Sequence, residues 1–73
     1  MQRKEWDEAA EILRQALQLD GSVAAYHAAL GEVMRALGKL DDAQASDSAA
    51  VLIDLDNTDY RETLKAIRRQ RGQ

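Results

Sequence analysis

Apolar residues return along this chain at helical spacing in four separate runs. From Glu5 to Leu19, Trp6, Ala9, Leu13, Ala16 and Leu17 recur with the period of one helix face. From Val23 to Leu37 the same spacing carries Tyr26, Leu30, Val33, Met34 and Leu37. A third run opens at Leu40 or Asp41 and reaches Ile53. A fourth, Asp59 to Gln70, holds one narrow stripe of Tyr60, Leu64 and Ile67. Between the runs stand residues that stop or start helices. "LDGS" (19–22) offers Gly21 as a stop and Ser22 as a cap, and Gly38 stands where a helix C-terminus wants glycine. In "DLDNTD" (54–59), Asn57, Thr58 or Asp59 can cap the fourth helix. Connections this short make successive helices antiparallel. The pattern predicts an all-α fold, an antiparallel helix-turn-helix stack of four helices.

Gly31 is the exception in this pattern. It lies inside the second run, where glycine costs about 1 kcal/mol relative to alanine. A close helix–helix contact is the usual reason for accepting that cost.

Composition narrows the picture further. Seventy-three residues suffice for one small domain, and at this size a single core is marginal. There is no cysteine and one histidine, which excludes disulfides and leaves no structural zinc cluster. No apolar run nears 18 residues and no signal-peptide pattern is present, so a soluble, cytoplasmic protein is expected without membrane contact. Charge is uneven. Residues 1–60 hold five Lys/Arg against twelve Asp/Glu, whereas residues 61–73 hold five against one. An acidic helical body ending in a basic helix terminus satisfies the helix macrodipole, and a nucleic-acid binder would show a wider basic face.

The sequence also repeats itself. A shift of 34 residues superposes "YHAALGEV" (26–33) on "YRETLKAI" (60–67) and residues 6–20 on 40–54. The identical pairs are Asp7/Asp41, Ala9/Ala43, Ala16/Ala50, Asp20/Asp54, Tyr26/Tyr60, Leu30/Leu64, Arg35/Arg69 and Gly38/Gly72. Roughly two or three would arise by chance.

A 34-residue helix-turn-helix period with Leu30-Gly31 as its L-G pair, and with Ala43 and Ala50 as small residues of a second helix, resembles the tetratricopeptide repeat. The resemblance covers nearly the whole chain, as a fragment of an αα superhelix in one domain, 1–73. Residues 1–23 resemble the second helix of a truncated repeat, 24–57 one complete repeat, and 58–73 a capping helix. The resemblance implies that Gly31 faces Ala43. Two departures stand out. His27 occupies the tryptophan place and Asp47 the place of a large aromatic, so both would point to the seam between the repeat's two helices. Either they pair there, or the helices rotate and leave Asp47 at the solvent edge.

Membership would imply an interaction scaffold that binds a partner peptide or helix on the surface of each repeat's first helix. The matching places are Ala25, Ala28, Glu32 and Arg35, and on the end helix Asp59, Glu62, Ala66 and Arg69. The subclass that clamps a C-terminal carboxylate is not matched, since alanines and acids hold its basic places. A chain opening in mid-repeat is expected to be the C-terminal end of a longer array, with Met1 an internal methionine or an added start. Its first helix would then leave Trp6, Ala9, Leu13, Ala16 and Leu17 as an open apolar strip. A weak homodimer through that face is expected to cover it. The alternative function is a helical bundle using its basic end, "KAIRRQRGQ", on nucleic acid or an acidic surface.

No chemistry of catalysis is legible. His27 has only scattered serines and threonines as hydroxyl partners, and "DLDNTD" lacks the glycine and terminal glutamate of a calcium loop. The expectation is a non-enzyme without metal or cofactor.

Overall fold

The computed structural model describes residues 2–72. Met1, on which the expectation of an internal or added methionine falls, lies with Gln73 outside the described residues. Four α-helices follow in order: α1 Arg3–Leu19, α2 Ala24–Ala36, α3 Leu40–Ile53 and α4 Thr58–Gln70. Each lies within about two residues of the run that predicted it. α1 packs on α2, α2 most extensively on α3, and α3 on α4.

The turns show why the helices end where they do. Gly38 adopts φ +78°, and the Lys39 N–H donates to the Met34 carbonyl while the Gly38 N–H donates to that of Arg35. This six-to-one and five-to-two pairing satisfies two orphan carbonyls of α2 and needs a residue without a Cβ penalty in the left-handed region. Asn57 caps α4, its side-chain oxygen accepting from the Tyr60 N–H at 3.1 Å. The expected Ser22 cap does not form. Val23 holds the N-cap position of α2, and Ser22 instead donates its hydroxyl and N–H to the Asp20 carboxylate. Those two bonds, the hydroxyl's first, draw the Asp20 pKa below its usual value.

The core is built of Ala10, Leu30, Val33, Met34, Leu37, Ala43, Leu64 and Ile67, with Met34 and Ile67 its largest fully buried side chains. Burying them supplies most of the driving force, at about 25 cal/mol per Å² of apolar surface. Alanines dominate the seams: Ala43 and Ala50 on α3 and Ala10 on α1 are almost wholly enclosed. Small side chains there let the helix backbones approach.

Gly31 is explained by that approach, though not as the sequence suggested. An ideal Cβ at Gly31 would lie 3.4 Å from the Ala43 carbonyl oxygen, but only 2.1 Å from Asp47 Oδ1. Ala43 is a neighbour; the space that glycine leaves is filled by the Asp47 carboxylate.

The first helix also departs from expectation. Trp6, Ala9, Leu13 and Leu17 are half-buried against the core, and Ala16 is half-buried as well, so the strip does not stand open. The exposed apolar side chains of α1 are Ile12 (65% exposed) and Leu19 (91%). No helix among the described residues is long and apolar enough to cross a membrane.

Candidate functional site

Because α2 and α4 both pack on α3, a groove opens between them with α3 at its base. It encloses about 480 Å³ and is lined from all three helices. α2 supplies Ala25, Ala28, Ala29, Glu32 and Arg35, whose spacing places them along one face of a helix. α3 supplies Asp47 and Ala50 at the base, and α4 supplies Asp59, Tyr60 and Thr63. Alanine at three α2 positions keeps the wall low. A bulkier residue at any of them would narrow the groove.

Five of the eight groove positions expected from the sequence, Ala25, Ala28, Glu32, Arg35 and Asp59, line this volume. Glu62, Ala66 and Arg69 do not. All three are exposed, and Glu62 contacts Lys65 at 3.5 Å on the surface. The groove meets α4 only over its first two turns, where Asp59 and Thr63 are the 34-residue counterparts of the lining residues Ala25 and Ala29 and Tyr60 joins them. Ala66 and Arg69 lie further along α4, and Glu62 turns to the surface. Ala29, Ala50, Tyr60 and Thr63 carried no signal as groove residues in the sequence. Asp47 did, as a carboxylate on a helix position that should be apolar.

Asp47 is the chemically unusual residue of the site. It is 2% exposed, and its Oδ2 accepts no hydrogen bond. Arg35 Nη2 approaches Oδ2 at 3.6 Å, beyond hydrogen-bond length, and Arg35 Nε and Nη2 are themselves buried without partners. Burial pushes the Asp47 pKa up, and the Arg35 charge pulls it partly back. Both expectations for Asp47 therefore fail. It is not at the solvent edge, and its neighbour is Arg35 rather than His27. His27 turns away to the α1–α2 turn, where its Nε2 lies 2.9 Å from the Gly21 carbonyl oxygen. Arginine wins the position because its longer side chain reaches the base of the groove from two turns further along α2.

A second concavity of about 450 Å³ lies elsewhere on α3 and α4, lined by apolar Val51, Leu52 and Leu64 and by Arg61, Lys65 and Arg68. The basic C-terminal end is partly committed: Arg71 folds back to pair with Asp41 and to donate to Gln44, both on α3. Among the described residues no group of three His, Cys, Asp or Glu is arranged to hold a metal ion.

A search of curated proteins gives no match to the chain. A family model described as tetratricopeptide repeat matches residues 1–67. That span runs from α1 through most of α4, and it includes the 34-residue register, the L-G pair at Leu30-Gly31 and the alanine seam. The chain belongs to the tetratricopeptide repeat family.

Proposed function

We propose that this chain is a non-enzymatic binding module that receives a segment of a partner protein in the groove between α2 and α4. The family generally mediates protein–protein interaction. The observation that carries the reading for this chain is the alanine wall of α2 opposite Tyr60 and Thr63. Together they make an open trough with small apolar side chains along one wall, Ala50 beside the Asp47 carboxylate at its base, and a polar rim, a form that accepts a helix or extended segment. The competing use of the basic end on nucleic acid or an acidic surface has less support, because Arg71 is already paired within the chain.

The test is selection from a random twelve-residue peptide library on the immobilised chain. The paired substitution Ala25→Tyr and Ala28→Tyr fills the trough and serves as the counter-target. Peptides that bind the parent and lose at least tenfold affinity for the filled variant are expected. A library yielding only peptides indifferent to the filling would refute the groove reading.

A further inference from the structure

The groove is not electrically neutral, and its imbalance points to the chemistry of what it holds. Three carboxylates line it, Glu32, Asp47 and Asp59, against one cation, Arg35. Glu32 and Asp59 are exposed at the rim, and neither forms a salt bridge among the described residues. Beneath them the Asp47 carboxylate is enclosed with an unused acceptor. A buried acceptor without a donor is an energetic liability unless something completes it.

Arg35 is a poor completion. It makes no hydrogen bond through Nε or Nη2, so its contact with Asp47 is an ion pair at 3.6 Å without a hydrogen bond. Its side chain is one-third exposed, and Glu32 lies three residues earlier on the same helix, at the spacing of a surface pair. A second cation arriving over Asp47 would find the acceptor Oδ2 below and Asp59 beside it.

We propose that the partner segment is basic and anchors itself by a lysine or arginine laid into this groove, with its charge among Glu32, Asp47 and Asp59. The inference rests on the groove reading above and specifies its ligand. The alanine wall of α2 suits the aliphatic stem of such a side chain, which buries its methylenes while its head stays paired. Tyr60 in the opposite wall adds an aromatic neighbour for a cation. Residues 1–60, with twelve acids to five bases, attract a basic segment at longer range. An acidic segment would meet Glu32 and Asp59 first, and would have to reach an arginine whose Nε and Nη2 are sealed from solvent.

The same peptide selection tests this separately from the groove itself. The trough-dependent peptides are expected to be enriched in Lys or Arg. Their affinity should fall at least tenfold for the neutral pair Glu32→Gln and Asp59→Asn, both exposed positions whose fold is verified by circular dichroism. It should also fall steeply between 50 and 500 mM salt. Trough-dependent peptides that are acidic or uncharged overturn the inference while leaving the groove reading standing. So do basic peptides whose affinity changes less than twofold in the neutral pair. A synthetic peptide of residues 65–73 binding the trough, with concentration-dependent dimerisation lost in the filled variant, would reassign the occupant to the basic end of a second copy. That result also overturns a separate partner. A library without any trough-dependent peptide removes both readings together.

Discussion

Replacing Gly31 by alanine should destabilise this protein, although alanine is the better helix former. The new Cβ would sit 2.1 Å from Asp47 Oδ1 and 3.0 Å from Asp47 Cγ. The carboxylate must retreat by roughly 1 Å or more to restore an ordinary contact. It is enclosed, with the Ala43 carbonyl also 3.4 Å from the new atom, so retreat strains the seam. Overpacking of this kind costs about 1–3 kcal/mol, and the gain in helix propensity returns about 0.5–1 kcal/mol. The net loss runs from about 0 to 2.5 kcal/mol and is about 1 kcal/mol at the middle of both ranges, and each kcal/mol lowers Tm by roughly 4–8 °C in a domain this small. Urea unfolding followed at 222 nm, with Trp6 fluorescence as the second probe, measures it. The decisive arm is a double-mutant cycle with Asp47→Ala. Once the carboxylate is gone, alanine at 31 should be neutral or stabilising, a coupling of about 1–3 kcal/mol. A Gly31→Ala protein that melts at or above the parent, or a cycle without coupling, would refute the close approach of Asp47 to α2.

Three further outcomes are expected. Burial holds the folded Asp47 pKa above its ordinary 3.8, so the folded state binds that proton more tightly than the unfolded chain. The parent's contribution from this group is therefore most favourable below 3.8 and declines as pH rises through the folded pKa. Asp47→Asn should remove that decline, and a parent that instead gains on Asp47→Asn with rising pH would contradict it. Asn57→Ala should cost about 1 kcal/mol by uncapping α4, with faster amide exchange at Tyr60 as the local sign. Gly38→Ala should cost about 1 kcal/mol for placing a Cβ at φ +78°, although nothing lies within 4 Å of that Cβ; unchanged thermal melting would show that the turn relaxes.

Which features were legible in the sequence follows from the range over which each is decided. Helices and their order are written locally: Leu30, Val33, Met34 and Leu37 recur with a helical period, and Gly38 stops a helix. The starts were coarser, since the α4 cap fell on Asn57 out of three candidates and the expected Ser22 cap did not form. The 34-residue repeat added the stacking order and family, because equivalent positions in successive repeats meet equivalent neighbours. The groove was half legible for the same reason. Translation along the repeat located the α2 wall at Ala25, Ala28, Glu32 and Arg35 and one α4 residue, Asp59, but it also placed Glu62, Ala66 and Arg69 on the α4 wall, which the groove does not reach. How far a groove runs along each wall depends on the packing of three helices, which a repeat period does not encode.

Only tertiary structure decided the partner of Asp47 and the purpose of Gly31. The repeat register offered His27 as the neighbour of that carboxylate and gave Arg35 only a place in the groove. Which of the two meets Asp47 depends on where α3 crosses α2 and on how far each side chain reaches, and a helical period encodes neither. The half-burial of Trp6, Leu13 and Leu17 was likewise settled by the way α1 leans on α2, which packs against the core a strip that the repeat register had left as an open face. A single chain determines which residues share a helix face. Which face meets which neighbour, and at what distance, emerges only when the helices pack.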